Sequence, residues 1–119
     1  MLGIGTDIVA IARVEAVFSR RGQRFVARIL APQERLPGMT GRQLAKAFCA
    51  KEAVVKALGT GFRLGIGWQD IVISRNALGA PTVALQGAAA RRLEALGGRQ
   101  VLLSIADEKA YAVAYAIVS

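Results

Sequence analysis

The stretch Phe48-Cys-Ala-Lys-Glu-Ala-Val-Val-Lys-Ala-Leu-Gly-Thr-Gly61 sets an acid and two bases inside an otherwise apolar run that ends on glycines. With about 100° between successive residues of a helix, Leu44, Phe48, Val55 and Leu58 gather on one side, flanked by Ala47 and Val54. This predicts a core-facing helix over 42–58. Glu52 lies off that stripe. It shares another face with Lys56, one turn later, and with the small residues Ala45 and Cys49, so this face is expected to admit a ligand. On an arbitrary helix, a Glu-x-x-x-Lys pair is a surface ion pair worth roughly a few tenths of a kcal/mol. The reading goes further here because Gly3-Ile-Gly-Thr-Asp7 ends a short apolar run with a second carboxylate, where a strand delivers a functional side chain.

The remaining periodicities predict an α+β domain. Strands are expected at 2–7, 68–74, 81–86, 100–106 and 110–118, and helices near 10–29 and 87–96, with Gly22 a possible break in the first helix. Tyr111, Val113, Tyr115 and Ile117 alternate with Ala112, Ala114, Ala116 and Val118, so both faces of the last strand are apolar and both are expected to be buried. A chain of 119 residues, 54% hydrophobic and without a linker or internal repeat, supplies one domain with a modest core. Burying both faces of a terminal strand in so short a chain calls for neighbouring copies.

Composition restricts the chemistry. There is no histidine and a single cysteine, Cys49, so one protomer cannot assemble a Cys/His metal site, a histidine-based triad or an intrachain disulfide. Two carboxylates from a strand end and a helix suit Mg²⁺, a hard cation that completes its shell with water and phosphate oxygens. No apolar run is long enough to span a membrane and no secretory signal pattern opens the chain, so a cytoplasmic location is expected. The net charge of +8 attracts polyanions or an acidic protein. Within the first helical region Arg13, Arg20, Arg24 and Arg28 share one face, beside Val14, Phe18, Phe25 and Ile29. Such a stripe fits an acidic protein. Nucleic acid competes on charge alone, without interleaved exposed aromatics or a recognised motif, and a non-catalytic basic module is the other alternative.

Gly3-Ile-Gly-Thr-Asp-Ile-Val-Ala-Ile-Ala-Arg-Val-Glu15 followed by the Phe48–Gly61 segment resembles the bacterial holo-acyl-carrier-protein synthases, the small 4′-phosphopantetheinyl transferases. The likeness continues through Arg24-Phe25, Arg28-Ile29-Leu30, Glu34, Trp68–Ile73, Gly79-x-Pro81 and Leu102–Ala114. It implies a homotrimer with interfacial active sites, and transfer of phosphopantetheine from coenzyme A to a serine of an acidic acyl carrier protein in fatty acid biosynthesis. By the same resemblance Asp7 and Glu52 hold Mg²⁺ and act in catalysis with Lys56. Lys46, Lys51, Gly59, Thr60, Gly61 and Pro81 are the expected coenzyme A contacts, and Arg13, Arg20, Arg24, Phe25 and Arg28 dock the carrier. Ala47 stands where an arginine is common, and Ala80 where the pattern is Gly-Lys-Pro. Both remove positive charge from the expected nucleotide site.

Overall fold

The computed structural model describes all residues, Met1–Ser119. A three-stranded antiparallel sheet is formed by β1 (Gly3–Ala10), β4 (Val101–Asp107) and β5 (Tyr111–Val118) in the order β1-β5-β4, and a separate hairpin by β2 (Ile71–Arg75) and β3 (Pro81–Leu85). The helices are α1 (Ile11–Arg21), α2 (Gln23–Ile29), α3 (Gly41–Ala57) and α4 (Gly87–Ala95), with single 3₁₀ turns at Pro32–Glu34 and Trp68–Asp70. No helix is long and apolar enough to cross a membrane.

Helix α3 begins at Thr40, whose hydroxyl accepts the Gln43 N–H at 3.1 Å while the Gln43 side chain accepts the Thr40 N–H at 2.8 Å. This reciprocal cap satisfies two N–H groups that a helix start leaves unpaired. The helix then lies across the sheet. Small residues decide how closely: Ala112, Ala114 and Ala116 of the central strand are buried beneath it, in register with Val9, Asp7 and Gly5 of β1. A Cβ on Gly5 would collide with the Ala53 carbonyl and lie 2.5 Å from the Ala57 nitrogen. Strand and helix therefore touch backbone to backbone, and Asp7 is delivered from that contact.

Several expectations are corrected. The helix expected over 10–29 is two helices, because Gly22 adopts φ 56°, ψ −133° between them, a left-handed φ that favours glycine. The strand expected at 68–74 starts only at Ile71, since Asp70 folds its carboxylate back onto the Gly67 N–H at 3.1 Å and closes a 3₁₀ turn. β1 continues to Ala10, beyond the expected end at 7. The face of α3 expected to admit a ligand is turned inward in part: Ala45 and Cys49 are fully buried against the sheet. Phe48, placed in the core stripe by its spacing, is only half-buried. The last strand buries one face alone. Tyr111, Val113 and Tyr115 are exposed on the other, continuous with Ile4 and Ile8 of β1 and Leu102 of β4.

The contact between β1 and α3 leads to a measurable expectation. Gly5→Ala should destabilise the chain by about 3 kcal/mol, the upper end of ordinary overpacking costs, because the obstruction is backbone and cannot rotate away. Denaturant unfolding checks this; a loss below about 1 kcal/mol would show that β1 and α3 can separate easily.

Candidate active site

β1 and α3 bring Asp7, Glu52 and Lys56 together. Lys56 Nζ donates to Asp7 Oδ1 at 2.9 Å and to the Thr6 carbonyl at 3.1 Å. From beneath, the Cys49 thiol donates to the Asp7 carbonyl at 3.1 Å. Asp7 and Glu52 line one cleft of about 330 Å³ with Arg13, Val14, Phe25 and Phe48. Burial pushes the Glu52 carboxyl above its ordinary value, and the nearby Asp7 charge adds to the shift against the pull of Lys56. Lys56 is held above its ordinary value, chiefly by its hydrogen bond to Asp7, so it is a firm cation at neutral pH. Burial first, and the Asp7 charge second, push the Cys49 thiol up to about 12. It is no nucleophile.

Two partly buried carboxylates that repel each other form a hard oxygen donor set. They fit a divalent cation such as Mg²⁺, which takes one or two protein carboxylates and completes its shell with other oxygens. No group of three or more His, Cys, Asp and Glu residues gathers anywhere in the chain. Any cation here would therefore depend on water and substrate for most of its ligands.

The arginine stripe and this cleft adjoin in the structure. Arg13 lines the acid cleft itself. Arg20, Arg24 and Arg28 border a second cleft of about 460 Å³, where Arg21 joins them. Both clefts share Val17, Phe25 and Phe48. The floor of the second is aromatic: Trp68 stacks on Phe48 at 4.9 Å and on Phe62 at 4.0 Å between ring centroids. No acidic residue lines it.

The expected coenzyme A contacts do not all reach this region. Lys51, expected at the phosphates, is fully buried. Its three N–H donors go to the Ile29 carbonyl at 2.7 Å, Glu34 Oε1 at 2.6 Å and the Trp68 carbonyl at 3.0 Å, leaving none for a phosphate. Burial draws its pKa below the ordinary lysine value, opposed by Glu34. The N–H groups of Gly59, Thr60 and Gly61 are also committed: Gly59 donates to Lys56 at 3.0 Å, and Thr60 and Gly61 donate to Val55 at 3.3 and 3.1 Å. They close the C-terminus of α3 and do not form an open anion cradle.

Lys46 and Pro81 lie elsewhere. Lys46 pairs with Asp107 at 3.4 Å, and Asp107 is also held by Arg42 at 2.9 Å. The hydrogen bond from Arg42 is the main cause holding the Asp107 carboxyl below its ordinary value. Lys46 lines a third cleft, of about 430 Å³, with Gln43, Ala47, Ser74 and Arg75. Pro81 is the register partner of Arg75 in the β2–β3 hairpin. Six residues separate Lys46 from Glu52, which puts them about 9 Å apart along α3 and on different sides of it. Arg21, Arg42 and Arg75 were not singled out from sequence, and Trp68, the sole tryptophan, entered only as part of the family resemblance with no site role.

The model of the 4′-phosphopantetheinyl transferase superfamily matches residues 3–116. The holo-[acyl-carrier-protein] synthase of Halorhodospira halophila is 49% identical, covering 97% of this chain and 94% of the relative. The chain belongs to the holo-[acyl-carrier-protein] synthase family. That of Shewanella amazonensis is 48% identical over 98% of this chain and 97% of its own. Among solved structures, the Neisseria meningitidis synthase superposes with a TM-score of 0.92 at 39% identity, covering 100% of this chain and 98% of that one. The Helicobacter pylori synthase, solved in complex with coenzyme A, gives 0.87 at 32% identity, covering 98% and 99%. The mainly antiparallel α+β fold is therefore that of the family.

Burial of Glu52 has a sign that can be tested on protein kept free of divalent cations. A carboxyl that holds its proton more tightly folded than unfolded costs stability once the pH passes its ordinary value of 4.5. Below that value it is protonated in both states and the cost vanishes. Glu52→Gln should therefore melt above the unmodified protein at neutral pH in chelator, with the difference closing as pH falls through this range. Thermal melts across pH would reverse the assignment if the unmodified protein were the more stable at neutral pH.

Proposed function

We propose that this chain transfers the 4′-phosphopantetheine of coenzyme A to a serine of an apo acyl carrier protein, in the cytoplasm and for fatty acid biosynthesis. The observation that carries this reading is the Asp7–Glu52–Lys56 cluster opening directly onto an arginine-bordered cleft. A pyrophosphate and an acidic protein can thus be held side by side. A basic binding module has no use for the buried acids, and nucleic acid would be repelled by them.

In the transfer, the serine oxygen forms a bond to the β-phosphorus of coenzyme A while the bond from that phosphorus to the bridging oxygen breaks, releasing adenosine 3′,5′-bisphosphate. Asp7 and Glu52 would hold Mg²⁺, which supplies charge neutralisation on the pyrophosphate when bound. Lys56 is a cation at neutral pH, half-exposed and paired with Asp7. It is placed to stabilise or protonate the departing phosphate. The serine proton has no histidine to take it, and Asp7 and Glu52 are the only acidic side chains lining the cleft. Arg13, Arg20, Arg24 and Arg28 steer and hold the acidic carrier, with Phe25 forming the apolar wall between them.

Asp7→Ala or Glu52→Ala should lower transfer by at least about a hundredfold, the scale of losing one group that stabilises developing charge. Mass spectrometry of the carrier after incubation with coenzyme A and Mg²⁺ reads this directly. Arg20→Glu with Arg24→Glu should raise the carrier KM, most at low salt, and change the coenzyme A KM far less. Near-normal modification by either acid variant would end the assignment.

Lys46 and Pro81, on a different side of α3 from Glu52, serve the same reaction if a second copy supplies them. A homotrimer with its active sites between subunits accounts for this division and for the apolar sheet face of Ile4, Ile8, Tyr111, Val113 and Tyr115. A monomer has little use for so continuous an exposed apolar patch. Tyr115→Asp should convert the assembly to monomers in light scattering and remove transfer activity with it. A fully active monomer would place a complete site within one chain.

A further inference from the structure

Lys51 precedes Glu52 in the chain but faces away from the cleft that Glu52 lines, and its fully buried ammonium is bound on three sides. Its partner Glu34 is equally committed. Glu34 Oε1 also accepts the Ala31 N–H at 2.8 Å, and Oε2 accepts the Ile73 N–H at 2.9 Å. One ion pair therefore joins α3, the end of α2, the turns at Pro32–Glu34 and Trp68–Asp70, and β2. Stability alone is a weak explanation, because a buried pair gains little over well-packed apolar residues of similar volume.

The directions of these bonds say more. The Lys51 bond to the Ile29 carbonyl is the one hydrogen bond between α3 and α2, and its bond to the Trp68 carbonyl is the one between α3 and the Trp68–Asp70 turn. The other polar bonds of α2 are those its Ala27 carbonyl accepts from Gln69 of the Trp68–Asp70 turn at 2.6 Å and from Arg35 at 3.3 Å, not from α3. Lys51 is therefore what ties α2 and that turn together to α3. Helix α2 carries Arg24, Phe25 and Arg28, and Trp68 lies against Phe48 in the floor of the same cleft. A single peptide bond separates the residue that fixes this wall from the acid of the neighbouring cleft.

We infer that the Lys51–Glu34 pair is a positioning device for carrier docking, registering the arginine face of α2 and the Trp68 floor against Glu52. Lys51 is fully enclosed and touches neither coenzyme A nor the carrier, while Glu34 shows an edge to the third cleft beside Lys46. The pair acts through α2 and the Trp68 turn, setting how far the docked serine stands from the phosphate. This rests on the carrier-transfer reading above.

The test is Lys51→Met with Glu34→Gln, a pair of changes that leaves no charge buried. Trp68, the only tryptophan in the chain, reports on the wall without any assay of activity. Acrylamide quenching of its fluorescence should increase. The carrier KM should rise about tenfold while the coenzyme A KM stays within about twofold, the pattern of a lost docking geometry. If the double variant does not fold, Lys51→Met alone, in which Glu34 keeps its bonds from the Ala31 and Ile73 N–H groups, should show the same split. A lower kcat with both KM values and the quenching unchanged would overturn the inference, since that is only a loss of active protein. A raised coenzyme A KM with an unchanged carrier KM would overturn it too, by returning Lys51 to the phosphates. Arg24→Glu serves as the control: if it leaves the carrier KM unmoved while Trp68 in the double variant becomes more accessible, the carrier-docking reading fails and the wall-fixing role of the pair stands.

Discussion

Helix α3 rests on the sheet with little side-chain volume between the two backbones at Gly5, and the meeting of Asp7 with Lys56 and Glu52 follows from that. Gly5 and the alanines of β5 make the approach possible, and Asp7, two residues beyond Gly5 on the same face of β1, meets α3 beside Lys56. A thicker interface would lift Lys56 off Asp7 and the Cys49 thiol off the Asp7 backbone. Close packing of this kind transmits small displacements because protein interiors are nearly as dense as molecular crystals. The geometry of the cleft is thus a property of the core.

The same helix distributes charge in several directions. Lys46 turns to Asp107, Lys51 to Glu34 in the interior, Glu52 to the acid cleft and Lys56 back to β1. Burial lowers the pKa of Lys51 and raises that of Glu52, while the hydrogen bond to Asp7 is the main cause that raises Lys56. Half of the net positive charge sits on α1 and α2, five arginines against Glu15. The candidate site is acidic at its centre and basic along one border, an arrangement suited to two anionic ligands that must meet without displacing each other.

How far the sequence disclosed this depended on distance along the chain. Glu52 and Lys56 are one turn apart, so helical period alone placed them together, and the alternation in β5 located the central strand. Asp7 joined them through its strand-end position and through the family resemblance. Lys51 was misplaced because periodicity assigns a direction on a helix but not what lies there. Its partners Ile29, Glu34 and Trp68 come from three other segments. The amides of Gly59 to Gly61 were misjudged for a related reason: a glycine-rich end looks alike whether its N–H groups face outward or back into the helix. The exposed side of β5 is a third case, since an alternating strand shows that a face is apolar but not whether its own chain covers it.

Cys49 has a consequence in a different domain of chemistry. The only sulfhydryl in the chain is enclosed between α3 and the sheet, lies within hydrogen-bond reach of the Asp7 and Ala112 carbonyls as a donor, and has its pKa pushed up to about 12 by burial. Peroxides and disulfides react with thiolates that they can reach, and here neither condition holds. The fold thus shields its one cysteine directly behind Asp7, so no thiol within the chain is exposed to act as a switch on that carboxylate. An oxidative burst that stops many cysteine-dependent enzymes would find no comparable target here.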